Sequence, residues 1–394
     1  MKYGVRLTLA TLLLWTLSEV QPAFAAHETE VVPYLHGQVG LQYHNKIDRS
    51  KLFQYGVEVG TVQEGEAGPA FEVRFGVFPG VELFSSIPIV SGSRSSQVSA
   101  MCGDTTHTAS GKTEYGSTGQ EDGCTLGDMV YVYSRAYVPN GEVADPIEYA
   151  WSGMDDVLLG VRFAPFSESN MGSLQSKREK APMPFPPMAT WRVELGYRIN
   201  TGQNFYLGGP GAGSGGLRLG TSFSKRIGEV AEPYFSLVHD RYSPYSFVGT
   251  SPMSGQSIGG DGVLLSSPNM TQIFFGVELS PYRDATTEAR FSVDFAGGTW
   301  LTSESSVLSG SRLAVIVTDP NAGEANTQDD VVVEQGQAAF VGRLRLTYQL
   351  IKWITVQGSG TLGYTLSHRL EDPYSVEMGA HLVGALKLSM NANF

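Results

Sequence analysis

Cysteine is nearly absent: in 394 residues only Cys102 and Cys124 occur, in one polar stretch. No C-x-x-C spacing exists and only His107 lies near them, which argues against a metal site. Long apolar runs are missing as well. After the first 26 residues no run of ~18 or more apolar residues follows, which excludes a transmembrane helix. Charge is scarce, at 17% of residues, and its balance is acidic, with a net charge of −12. Binding a phosphate backbone depends on basic side chains, so nucleic acid is excluded as a partner. The chain also has no G-x-S-x-G nucleophile motif, and its histidines are scattered over separate segments. The run GGPGAGSGG at 208–216 opens no helix, so it offers no phosphate cradle, and no cofactor is expected. An enzyme is therefore not expected.

What is present begins with a secretory signal over 1–26. Lys2 and Arg6 form its basic start, Leu7 to Leu17 its apolar core, and Ala23-Phe24-Ala25 a small-x-small cleavage site. Export permits a disulfide between Cys102 and Cys124, a loop closure that removes about 3 kcal/mol of unfolded-chain entropy on the usual model. The 47 glycines, 18 tyrosines and 19 phenylalanines suit one closed barrel over 27–394 better than several soluble domains.

The last stretch fixes the fold class. Leu382, Gly384, Leu386, Leu388, Met390, Ala392 and Phe394 occupy every second position, with Lys387, Ser389, Asn391 and Asn393 between them. A period of two means an extended strand with one apolar and one polar face. A chain closing on such a strand and an aromatic residue resembles bacterial outer-membrane barrels, with Phe394 as the assembly signal. Similar runs recur at 35–43, 71–77, 81–89, 157–163, 191–199, 217–223, 235–237, 273–279, 291–295, 340–348 and 354–366. The expected fold is all-β: a transmembrane antiparallel β-barrel with long extracellular loops. Single-chain bacterial barrels have an even strand number, long loops outside and short periplasmic turns, and that parity gives about twelve strands. Twelve requires the run 55–61 to lie above the membrane. Fourteen is the second choice, and requires 54–62 and 129–138 both to cross. The long Ser/Pro-rich connection at 167–189 fits neither count.

An Arg on a lipid face costs about 2–4 kcal/mol at the bilayer midplane, so the charged faces are expected to line the lumen. These positions are Glu72, Arg74, Arg162, Arg192, Glu194, Arg198, Arg218, Glu278, Arg290, Asp294, Arg343 and Arg345, with Glu82, Asp156 and Lys387 beside them. Basic residues outnumber acidic ones there, while 93–152 and 303–337 hold most of the loop carboxylates. Two readings follow. One is a basic bore that favours anions; the other is opposite charges pairing across strands around a polar interior.

Residues 71–90 (FEVRFGVFPGVELFSSIPIV), 153–166 (GMDDVLLGVRFAPF) and 191–203 (WRVELGYRINTGQ) resemble the outer-membrane channels of the phenol-degradation meta-pathway. Met154-Asp155 and Asn200-Thr201-Gly202 depart from that family's Gly-containing pair and Pro-Thr-Gly form. The resemblance implies a channel for small, including aromatic, compounds and supplies no catalytic residues. Fatty-acid channels match less well, since no plug of about 40 residues precedes the first strand. The expected function is a porin-like outer-membrane transporter passing small aromatic or anionic solutes; the alternative is a structural or adhesive barrel with a filled lumen and functional acidic loops. Expected partners are the lipid bilayer, the barrel-assembly machinery and a small-molecule solute. Oligomeric state is not legible in the sequence.

Overall fold

The computed structural model describes residues 31–32, 34–54, 57–98, 101–102, 129–133, 147–166, 189–202, 214–227, 230–250, 257–283, 289–308, 316–318, 331–351, 353–371 and 376–394. The signal segment, Cys124 and residues 167–188 of the connection 167–189 lie outside these residues, and so does the proposed Cys102–Cys124 bridge.

Twelve strands form one closed antiparallel barrel. They are β1 (Gly37–Gln54), β2 (Val57–Phe78), β3 (Val81–Val98), β4 (Val157–Phe166), β5 (Thr190–Ile199) and β6 (Gly216–Ser224). Then follow β7 (Ala231–Tyr242), β8 (Met270–Arg283), β9 (Arg290–Thr302), β10 (Ala338–Ile351), β11 (Ile354–Thr365) and β12 (His381–Asn393). Each pairs with the next. The ring closes where β12 pairs with β1, from Gln38↔Asn393 to Asp48↔Val383. Ile147–Met154 continues β4 outward along β3, after a break at Asp155-Asp156.

Fourteen strands are excluded. Residues 57–61 are the outer end of β2, paired to β1 as in Lys51↔Thr61. Met129–Tyr133 belongs to a separate three-stranded sheet with Met101–Cys102 and Ile316–Thr318. At one end of the barrel Pro79-Gly80 turns tightly between β2 and β3, with Gly80 at φ 77°, a left-handed value that suits glycine. Both ends of the barrel-forming chain lie there too, which makes it the periplasmic end. The C-terminus is fastened: Gly37 N–H donates to the Phe394 carbonyl (2.8 Å) and Phe394 N–H donates back (2.9 Å).

Burial inverts the usual order. On β12, Leu382, Leu386, Leu388 and Met390 are exposed while Ser389 and Asn391 are buried. Around the ring, Leu41, Phe71, Leu83, Leu195, Leu219, Phe275, Phe295 and Leu344 are exposed, whereas Glu82, Glu194, Asp240, Glu278 and Asp294 are buried. A soluble two-layer sheet would bury the apolar face instead. With every barrel strand paired on both sides there is no open edge to satisfy, the condition for crossing hydrocarbon. The molecule is an outer-membrane β-barrel of the bacterial type.

Candidate functional site

The polar face is organised by cross-strand pairing. Successive strands bring opposite charges side by side, and a lattice of ion pairs runs from β2 to β7, with a hydrogen bond from β2 to β1 at its start. Arg74 on β2 donates through Nη1 to Gln38 on β1 (2.9 Å) and through Nε to Glu82 on β3 (2.7 Å). Arg162 on β4 bridges Glu82 (2.9 Å) and Glu194 on β5 (2.7 Å). Arg218 on β6 bridges Glu194 (2.8 Å) and Asp240 on β7 (3.4 Å), and Arg198 reaches the same aspartate at 3.6 Å. Arg192 sits 3.9 Å from Glu194.

Two further groups complete the face. Asp294 on β9 accepts from Arg345 Nη2 (2.6 Å) and from the hydroxyl of Tyr234 (2.9 Å). Arg343 donates to that hydroxyl at 2.7 Å and lies 5.0 Å from the Phe274 ring centre. Toward the periplasmic end, Arg290 donates to Glu278 (2.8 Å) and to Ser280. Glu72 is half-buried on the face that carries Arg74, Asp156 is buried, and Lys387 is exposed. Of the residues singled out from the sequence, Arg74, Arg162, Arg192, Glu194, Arg198 and Arg218 are thus brought into one lattice. Arg290 with Glu278, and Arg343 and Arg345 with Asp294, form separate clusters. The carboxylates of these pairs are buried, so their geometry matters more than it would at a surface.

Sequence reading missed several members. Asp240 and Tyr234 lie on β7, whose apolar alternation is legible only at Phe235 and Leu237. Carrying the same parity in both directions along the strand finds them. Gln38 is uncharged and gives no signal. Val31 and Val32 could not be found at all: they precede the first strand, yet both are buried, and Val32 N–H donates to Glu82 Oε2 at 2.6 Å. Val32, ahead of β1, therefore meets the polar interior at its periplasmic end.

One patch of this interior is apolar. Phe274, Ala339 and Val341, on β8 and β10, pack together with Ala296 and Trp300 of β9. The five barrel histidines are distributed over the sheet. His239 contacts Thr271 (2.9 Å), His36 the Tyr34 carbonyl (2.9 Å), and His44 Glu66 (3.3 Å). His368 and His381 each face a carboxylate at the outer rim. Among the described residues no group of His, Cys, Asp and Glu forms a metal-holding set.

No protein-family model and no curated protein matches the chain. The likeness of 71–90, 153–166 and 191–203 to the phenol-pathway channels thus stands as a resemblance of strand-and-turn pattern. Solved structures with a similar trace include the COG4313 outer membrane channel of Pseudomonas putida F1, at 12% identity and TM-score 0.47, covering 95% of this chain and 100% of that one. The CymD monoaromatic hydrocarbon channel covers 95% of both chains at 10% identity and TM-score 0.38. The Escherichia coli outer membrane protease OmpT matches at 10% identity and TM-score 0.30, over 93% of this chain and 99% of that one. At these identities and scores the neighbours carry no argument about activity.

Proposed function

We propose that the chain is an outer-membrane channel for small solutes, uncharged aromatic compounds before anions. The observation that carries this reading is the apolar patch of Phe274, Ala296, Trp300, Ala339 and Val341 set in an otherwise polar, ion-paired interior. Arginines engaged by Glu82, Glu194, Asp240, Glu278 and Asp294 present little unbalanced positive charge, so the wall is a weak attractor of anions. The patch gives a flat apolar molecule a place to dwell, and Arg343 beside Phe274 adds a cation that can meet an aromatic face. The lumen-lining role of the twelve charged positions named above belongs to this proposal, as does entry past the acidic loops.

A filled, non-conducting barrel is the second reading, favoured by Val32 held on Glu82 with Val31 buried beside it in sequence. Planar-bilayer recording separates the two. The channel reading expects small discrete steps with a reversal potential near zero in a salt gradient. It also expects larger steps once residues 27–33 are deleted. A folded deletion variant that remains silent would remove the channel reading and leave the filled barrel.

A further inference from the structure

One row of the lipid-facing side is nearly bare of side chains. Register sets Gly297 of β9 beside Gly342 of β10, and Gly342 beside Leu362 of β11. Leu362 then stands beside Gly384 of β12, Gly384 beside Ile47 of β1, and Ile47 beside Gly65 of β2. A side chain begun at Gly342, Gly384 or Gly65 would meet nothing within 4 Å, and none of the three has a positive φ. Neither packing within the chain nor backbone conformation therefore asks for glycine at these positions. Glycine weakens a strand, and one that the chain itself does not need marks a close approach from outside.

The bare row opens a groove of about 750 Å³, walled by Ile47, Phe295, Leu344, Leu362, Leu386 and Asn45. The first five are exposed apolar side chains of the lipid face. Asn45 has no side-chain hydrogen bond among the described residues. From β9 to β2 the row crosses six strands, about 24 Å at ordinary strand spacing.

The chemistry changes just above it. Arg49 is the next outward position beyond Ile47, toward the extracellular end of β1. It is exposed, stands opposite Gln63, and has no ion pair among the described residues. Nearby charges on this side are offset. Lys51 meets Glu58 at 2.5 Å. Arg369 stands opposite Glu377 in the collar of short strands above (Ser305–Leu308, Val331–Glu334, His368–Glu371 and Val376–Met378). Asp48 and Glu64 face each other on the inner side of the wall. A cation above an apolar groove, both turned to the outer leaflet, matches an anionic headgroup carrying acyl chains.

We propose that this face holds one phosphorylated glycolipid of the lipid A class, with a phosphate on Arg49 and acyl chains over the glycine row. Several chains under one headgroup match the width of the row better than the two chains of a phospholipid. Asn45 can donate to the ester or amide oxygen of an acyl linkage. The site lies on the outside of the wall, so it stands whether or not the bore conducts.

Native mass spectrometry of the delipidated full-length barrel in detergent, titrated with hexa-acylated lipid A or with phosphatidylglycerol, tests this. Lipid A should be retained about tenfold more strongly than phosphatidylglycerol. Arg49→Gln should weaken lipid A retention about tenfold, the scale of a lost hydrogen bond to a charged group. A Gly342→Leu, Gly384→Leu double variant should weaken it by a similar factor. Arg241→Gln, which removes an exposed cation at the outer end of β7, should change nothing. If one of the two site variants does not fold, the other decides by the same criterion. Retention unchanged in the site variants, an equal loss from Arg241→Gln, or phosphatidylglycerol held as tightly as lipid A would overturn the proposal. So would a two-copy species that the glycine variant abolishes, since the groove would then belong to a second barrel.

Discussion

Replacing Glu194 by alanine is expected to destabilise the barrel by about 3–5 kcal/mol, the scale for breaking a buried ion pair from one side. Glu194 is buried and accepts from Arg162 at 2.7 Å and Arg218 at 2.8 Å, with Arg192 at 3.9 Å. Its removal leaves Arg162 with Glu82 and Arg218 with the longer contact to Asp240, so the lattice is cut at its middle. Urea unfolding of the refolded protein in vesicles reads the effect. The control is Glu58→Ala, which breaks an ion pair with Lys51 whose partners are well exposed and should cost no more than about 1 kcal/mol. Equal effects from the two changes would mean that water screens the lattice, and that the polar face is far wetter than its burial suggests.

The second large effect is expected on the opposite face. Leu344→Arg should destabilise the barrel by about 2–4 kcal/mol, the cost of a cation on the lipid side near the midplane. Its neighbours Arg343 and Arg345 already place the same residue type one step to either side along β10. Those guanidiniums turn inward to Tyr234 and Asp294, whereas Leu344 is exposed. One residue of displacement along a strand flips the face, so position alone, and not residue type, sets the cost. The same unfolding measurement in vesicles checks it. A neutral outcome would show that position 344 does not meet hydrocarbon.

Much of this architecture was legible because a membrane barrel imposes one rule on every strand. The run Leu382 to Phe394 announces a strand, and the same period at 71–77, 81–89 and 340–348 announces its companions. Loop parity then selects twelve by requiring both ends of the barrel-forming chain to meet on one side. Other features lay outside that rule. The collar strands at 305–308, 331–334, 368–371 and 376–378 are too short to show a period. The break at Asp155-Asp156 is held by contacts to a different strand end, with Gly202 N–H donating to Asp156 and Val157 N–H to Thr201, so it depends on tertiary pairing. Inward charges could be named from alternation, but their partners could not. Which carboxylate meets which guanidinium follows from register between strands distant in sequence, as with Glu82 and Arg162, and a single strand does not encode register. The burial of Val32 against Glu82 has no local signal, since a short apolar pair before the first strand reads the same in or out of the bore.

Depth-dependent quenching addresses the arrangement of the two faces without passing through stability or conductance. With Cys102 and Cys124 replaced by serine, single cysteines at Leu344, Leu386 and Leu388 would carry an environment-sensitive fluorophore, and others at Ser359 and Thr361 would serve as inward counterparts. Nitroxide-bearing lipids should quench the first set strongly and the second weakly, with a soluble quencher giving the reverse order. Strong lipid quenching at Ser359 and Thr361, with the leucine positions reporting water, would contradict the account at its root.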